Sequence, residues 1–276
     1  MWTAGRKQVT GTPRAKFLGL NKEGLNILSL SGILKEIIPT LIFDCDGVLI
    51  DSEIVVCRLV SEEMTLLGYP VSVTEVISRY AGRPEPAMIA DIEQDWGRSV
   101  PAEYFPRIKA RVAQAYASEL RPVSGVAETL ARIQAPVCVA SSSAPQKLRL
   151  GLQSTGLHAR FGENIVSASY VAQGKPAPDV FIYAAGWMRA QIEHCIVIED
   201  SIPGVEAARK AGIRTFGFVG GSHCPPEHEE RLLAAGAEHV LRNIRDLEHY
   251  LPEAFGAISI QPDAKPKWQP KATETV

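Results

Sequence analysis

The chain has 276 residues, 46% of them hydrophobic and 22% charged, with a net charge of -2. Such a composition belongs to an ordinary soluble globular protein, long enough for one large domain or for a domain carrying a smaller insertion. The near-neutral balance argues against nucleic acid or an anionic membrane as partner, and no apolar run approaches the roughly 20 residues of a spanning helix.

Five scattered cysteines, Cys45, Cys57, Cys138, Cys195 and Cys224, form no Cys-x-x-Cys pair, so neither a disulfide framework nor a zinc site is expected. Reduced thiols and a cytoplasmic location are the simplest expectation. Residues 1–39 carry Arg6, Lys7, Arg14 and Lys16 with no acid before Glu23. The stretch is basic and acid-poor, as organelle transit peptides are, but lacks the apolar core of a secretory signal. It is expected to be a disordered extension or a stretch upstream of the true start, with a short helix possible over 24–38.

The first strand signal is Leu41-Ile42-Phe43, which stops abruptly at Asp44-Cys45-Asp46-Gly47. Carboxylates at the end of a buried strand are costly unless paired or bound to metal, and in open α/β sheets such strand ends are where ligands sit. Gly47 lets the chain turn away without a side chain in the path. A calcium loop of the EF-hand type also begins Asp-x-Asp, but its glycine stands sixth and its frame is helical; here the glycine is fourth and a strand precedes it.

No strand signal follows for some eighty residues. Apolar residues recur at helical spacing over 54–67, 73–80, 86–95 and 102–120, punctuated by Gly68-Tyr69-Pro70 and Gly82-Arg83-Pro84. A parallel crossover needs only one helix, so this run predicts a small inserted helical domain. Regular alternation then resumes, with helices over 124–134, 144–154, 177–188, 203–211 and 227–235 between strands over 137–140, 165–167, 195–198, 214–219 and 239–241. The fold class expected is α/β: a Rossmann-like, mostly parallel sheet covered by helices on both faces. The tail beyond Pro252, rich in Pro, Lys and Gln, is expected to be disordered.

Three further stretches carry polar groups of the kind found at strand ends. Ser141-Ser142-Ser143 follows the second strand, where hydroxyls and backbone N–H groups can hold phosphate oxygens, although Ser143 also reads as a helix N-cap. Lys175, in Gly174-Lys175-Pro176-Ala177-Pro178, is followed by two prolines that fix the backbone there. Glu199-Asp200 ends the strand over 195–198 and, with Asp44 and Asp46, makes an oxygen-rich set suited to Mg²⁺.

In order and spacing these four stretches resemble the motifs of the haloacid dehalogenase-like hydrolases, in the branch that holds sugar-phosphate phosphatases and β-phosphoglucomutases. The resemblance covers roughly residues 40–251. It implies an α/β core over 40–54 and 122–251 and a helical cap over 55–121, leaving 1–39 and 252–276 outside. It further implies Asp44 as nucleophile and Asp46 as general acid and base. Ser141, Ser142 and Lys175 would bind the phosphoryl oxygens, and Asp44, Asp46, Glu199 and Asp200 would hold Mg²⁺. The expected function is Mg²⁺-dependent hydrolysis of a small phosphorylated metabolite, a sugar or sugar-acid phosphate, by a monomer or weak homodimer.

Arg83, in a loop between cap helices, is a candidate for a second anionic group on the substrate, or a solvated arginine; Glu53 and Arg58 are ambiguous in the same way. A phosphomutase shares every core motif, and Val48 after Asp-Cys-Asp-Gly is mutase-like. The stretch Ile54-Val55-Val56-Cys57, however, lacks the histidine expected there in mutases. A haloacid dehalogenase would need neither Asp46 nor metal, and a non-catalytic binding module would not need the whole set.

Overall fold

The computed structural model describes residues 38–80, 83 and 85–256. The expectations for 1–37 and for the tail over 257–276 lie outside the described residues. Six parallel strands form one sheet in the order β3-β2-β1-β4-β5-β6. They are β1 (Thr40–Phe43), β2 (Val137–Ser141), β3 (Ile165–Ser167), β4 (Cys195–Glu199), β5 (Arg214–Phe218) and β6 (His239–Leu241). β1 is central, with Ile42 in register with Cys138 of β2 on one side and Val197 of β4 on the other. Every residue of β1, β2 and β4 is buried, which is why these strands read as continuous apolar runs rather than alternating ones.

Helices cover both faces, and the two-residue period of a strand sorts side chains between them. Leu41, Phe43, Val139, Ile196 and Ile198 pack with α5 (Val126–Arg132), α6 (Pro145–Ser154), the short α7 (His158–Phe161) and the segment 244–255. Ile42, Cys138, Ala140 and Val197 point the other way, against α8 (Asp179–Trp187) and α9 (Ile202–Lys210), where Val180, Phe181, Ala184, Ala207 and Ala208 face them. A last long helix, α10 (His228–Ala235), packs on β5 and β6 through Leu232. Each fully buried residue of this size contributes about 1.5–3 kcal/mol.

Between β1 and β2 come four helices besides α5: α1 (Ser52–Leu66), α2 (Val73–Tyr80), α3 (Glu85–Trp96) and α4 (Tyr104–Ser118). They share an apolar cluster of their own, built on Val60, Met64, Val76, Ile92, Tyr104 and Ile108. The chain enters and leaves this unit through two neighbouring antiparallel segments: Asp51 N–H donates to Arg121 O at 3.0 Å and Val123 N–H to Leu49 O at 3.1 Å. Glu63 on α1, nearly buried, is bound by Arg111 Nη1 of α4 at 2.9 Å.

Differences from expectation are mostly at element ends. α4 starts later than residue 102 because Pro101 to Tyr104 closes a turn first, and α5 starts after Gly125, whose φ of +85° does not belong inside a helix. The short helices α7 and α11 (Leu247–Tyr250) were not expected. One expectation is corrected: folded chain runs past 251 to Gly256. Pro252–Phe255 forms a 3₁₀ turn that buries Ala254 and Phe255, and Ala254 O accepts from Gln134 and Ala135 N–H. The five cysteines are free, four of them buried. No helix among the described residues is long and apolar enough to cross a membrane.

Candidate active site

β2, β1 and β4 are adjacent in the sheet and parallel, so their C-terminal ends bring Ser141, Asp44 and Glu199-Asp200 together at the middle of one edge. The chain runs from β1 to β2 and β3 on one side, and then crosses through α8 to β4 on the other side of β1; such a reversal of strand order is where open α/β sheets form a ligand crevice. Asp44 is 6% exposed, and its N–H donates to Ile198 O at 2.9 Å. The turn that follows depends on Gly47: its φ is +83°, and a Cβ there would lie 2.0 Å from Asp200 Oδ2.

Lys175, joined to Pro176 by a cis peptide, reaches in from the loop before α8. Its side chain is 4% exposed. Nζ donates to Asp44 Oδ1 at 2.6 Å, to Glu199 Oε1 at 2.6 Å and to Ala140 O at 3.1 Å. Burial raises the Asp44 pKa well above the usual carboxylate range, with Glu199 and Asp200 adding to the rise and Lys175 opposing it. The hypothetical Cβ of Gly204 would sit 1.7 Å from Glu199 Oε1, so the start of α9 must be bare for Glu199 to lie there.

Asp46 has different company. Ser52 Oγ donates to its Oδ1 at 2.6 Å, Ser143 Oγ to its Oδ2 at 2.5 Å, and Lys147 Nζ stands 3.1 Å from Oδ1. Tyr116 of α4 reaches Oδ1 at 3.4 Å, and the Lys147 ammonium sits over the Tyr116 ring. Burial works against charge on Asp46, but Lys147 and the two serine hydroxyls outweigh it and hold the pKa below the ordinary value. The two aspartates thus lie in opposed environments, an arrangement that separates the roles of paired carboxylates.

The structure therefore brings together Asp44, Lys175, Glu199 and Asp200 in one charge network, and Asp46 with Ser143 beside it. Ser141 is buried, its Oγ accepting from Ser143 N–H at 3.1 Å, while Ser142 is exposed. Ser143 does not cap α6; Ala144 stands at that position, and the Ser143 hydroxyl is spent on Asp46. Arg83 is paired with Asp91 Oδ2 at 2.7 Å and also donates to Arg79 O, both within the helical unit. Arg58 is likewise held by Glu62 and Glu119.

Sequence reasoning missed Lys147, Tyr116, Ser52 and His223. Lys147 lies four residues after Ser143, one helical turn on; Tyr116 had no signal, since its helix belongs to the insertion. His223 comes from the loop after β5, where a Gly-Gly pair at a strand end was the available cue. Its Nε2 is 3.1 Å from Asp200 Oδ2. Burial disfavours charge on His223, yet the hydrogen bond to Asp200 and the neighbouring Cys224 thiol raise its pKa to about 11. Burial pushes Asp200 up to about 6 against the pull of His223.

The donor set fits a hard divalent cation. Three buried carboxylates, Asp44, Glu199 and Asp200, face two cationic side chains, Lys175 and His223, which leaves an excess of negative charge. Among the described residues no three acidic, histidine or cysteine side chains close into a ready-made cage. Mg²⁺, which uses one or two carboxylates with carbonyls and water, does not need one. Glu199, expected to meet Mg²⁺ directly or through water, also anchors the lysine: Oε1 accepts from Lys175 at 2.6 Å and Oε2 from Ser201 N–H at 2.7 Å.

The family profile described as haloacid dehalogenase-like hydrolase matches residues 38–212. A 6-phosphogluconate phosphatase of Escherichia coli (strain K12) is 28% identical over 190 residues, 68% of this chain and 86% of that protein. A haloacid dehalogenase-like protein of unknown function from Agrobacterium tumefaciens is 34% identical with a TM-score of 0.73, over 78% of this chain and 97% of that one. A hydrolase from Deinococcus radiodurans, solved with phosphate and sodium bound, is 29% identical with a TM-score of 0.70, over 79% and 96%.

Proposed function

The chain belongs to the haloacid dehalogenase-like hydrolases, and on that premise we propose that it is a Mg²⁺-dependent phosphatase of a small phosphorylated metabolite, a sugar or sugar-acid phosphate. The observation that carries the proposal is Asp44, a buried carboxylate at the head of the central strand, restrained through one oxygen by Lys175. The likeness to a 6-phosphogluconate phosphatase supports the substrate class.

Asp44 attacks phosphorus in line: its oxygen forms the new P–O bond as the bond to the substrate's alcohol oxygen breaks. Asp46 delivers a proton to that leaving oxygen. It then takes a proton from the water that hydrolyses the aspartyl-phosphate, so the two transfers balance. In the arrangement present Asp46 is an ionised carboxylate held by Ser52, Ser143 and Lys147; a phosphoryl dianion arriving beside it favours the protonated form that the first step needs. Lys175 and Ser141, with the exposed Ser142 at the rim, offset charge on the transferring phosphoryl group. Asp44, Asp200 and the Asp46 backbone carbonyl would hold Mg²⁺, which supplies charge neutralisation and orientation of the phosphate. Residues 55–121 act as the cap, pivoting on the paired segments at Asp51 and Arg121 and excluding water from the crevice.

Val48, the mutase-like residue that follows Gly47, is fully buried in the core and so adds no group to the site. The deciding experiment is phosphate release from a panel of phosphosugars, phosphogluconate, phosphoglycolate and β-glucose 1-phosphate, with Mg²⁺ and with chelator. Mg²⁺-dependent release from a few compounds supports the proposal. Release untouched by chelator refutes the metal, and glucose 6-phosphate formation without release establishes a mutase instead.

A further inference from the structure

The mechanism leaves His223 unused, although it is 8% exposed and stands against Asp200. Its Nε2 lies 3.1 Å from Asp200 Oδ2. A Cβ on Gly47 would fall 2.0 Å from that same oxygen and 2.7 Å from His223 Cε1, so Oδ2 is walled in by the turn after β1 on one side and by the imidazole on the other. The loop carrying His223 is fastened at two more points. Ser222 donates to Asp51 through its N–H at 3.1 Å and through its hydroxyl. His228 Nε2–H donates to the Asp200 carbonyl at 2.5 Å. Asp200 is thus held through one carboxylate oxygen by the loop after β5 and through its backbone carbonyl by the first residue of α10.

We propose that His223 is a positioning residue which, by holding Oδ2, presents Oδ1 as the one oxygen through which Asp200 meets a divalent cation. Mg²⁺ demands near-octahedral geometry at short range, so a carboxylate fixed in orientation binds it better than one free to rotate. Partners that orient metal-binding carboxylates are typically worth 10- to 100-fold in metal affinity. The inference rests on Asp200 being a metal carboxylate, and it adds one more segment of the chain, the loop after β5, to the catalytic edge built by β1, β2 and β4.

The test is calorimetric titration of the full chain with MgCl₂, alongside the rise in melting temperature that MgCl₂ produces. His223→Leu removes the donor; His223→Gln carries an amide nitrogen at nearly the reach of Nε2; His223→Asn carries one too short to arrive. The leucine and asparagine variants are expected to bind Mg²⁺ about 10- to 100-fold more weakly, with glutamine recovering to within a few-fold and the melting-temperature rise following the same order. The comparison of glutamine with asparagine stands by itself if the leucine variant does not fold. Equal affinity in all variants overturns the inference, as does tighter binding in the leucine variant, which would make His223 a counter-charge competing with the metal. Wild-type protein that takes up no Mg²⁺ overturns the metal reading itself. Wild-type protein that binds Mg²⁺ but releases no phosphate overturns the proposed activity and leaves the role of His223 to be judged on affinities.

Discussion

Replacing Lys175 by methionine removes the single buried ammonium that Asp44 and Glu199 share. Each contact is 2.6 Å long, which at an effective dielectric near 20 amounts to about 6 kcal/mol of attraction per pair. Most of that is offset by the cost of having brought all three charges out of water. What the variant loses is the difference between a compensated and an uncompensated site, and breaking a buried pair from one side costs about 3–5 kcal/mol. For a folded unit of this size 1 kcal/mol moves the melting temperature by roughly 2–4 °C, so Lys175→Met should melt about 6–20 °C below wild type near pH 7.5. The loss has a definite pH signature. Without the lysine, which opposes the rise, the folded-state pKa of Asp44 climbs further above its unfolded value. Groups raised in this way destabilise the fold above the unfolded carboxylate pKa and stop doing so on acidification. The deficit should therefore shrink as pH falls toward 5. Adding Glu199→Gln removes the second charge and should return a large part of the lost stability. Urea denaturation of wild type, Lys175→Met and Lys175→Met/Glu199→Gln at pH 5, 6.5 and 8 measures all of this. A single-variant loss below 1 kcal/mol, or a double variant no more stable than the single, refutes the reasoning that one lysine compensates both carboxylates.

Asp44→Asn should abolish turnover while keeping the fold, because the amide forms no phosphoenzyme; phosphate release within tenfold of wild type would remove Asp44 as nucleophile. Gly204→Ala should cost about 1–3 kcal/mol, the usual penalty of overpacking, because its Cβ lands on the Glu199 carboxylate; an unchanged denaturation midpoint would contradict the packing. Lys147→Met should move the acid limb of the kcat profile to higher pH, since Lys147 is the main charge holding the Asp46 pKa down; an unmoved limb would take Lys147 out of the electrostatics of Asp46. His228, whose pKa burial lowers, stabilises the fold above the unfolded histidine value and loses that contribution as pH falls below about 6.5. His228→Gln should accordingly flatten the fall in melting temperature between pH 7 and 5, and an identical slope would refute the assignment.

Much of the fold is legible in the chain because buried parallel strands and amphipathic helices have different periods. Leu41-Ile42-Phe43 and Ile196-Val197-Ile198 are apolar without interruption, and carboxylates stand where each run stops. Residues with no period of their own were not legible. Pro252–Phe255 is ordered because Ala254 O accepts two N–H groups at the end of α5, a contact that nothing nearby in sequence announces. Ser143 read as a helix cap because local sequence sees only the helix that follows, whereas its hydroxyl answers to Asp46, 97 residues away.

Sequence alone singled out Asp44, Asp46, Ser141, Lys175, Glu199 and Asp200 as site candidates, since each is marked locally by a strand end, a glycine or a proline. Their company was decided by tertiary structure. Lys175 meets Asp44 across 131 positions, Glu199 turns to the lysine, Lys147 and Tyr116 close on Asp46, and His223 on Asp200. The physical reason is that strand and helix signals are local free-energy preferences, whereas the partner of a buried charge is chosen by which groups the strand order β3-β2-β1-β4-β5-β6 leaves within reach.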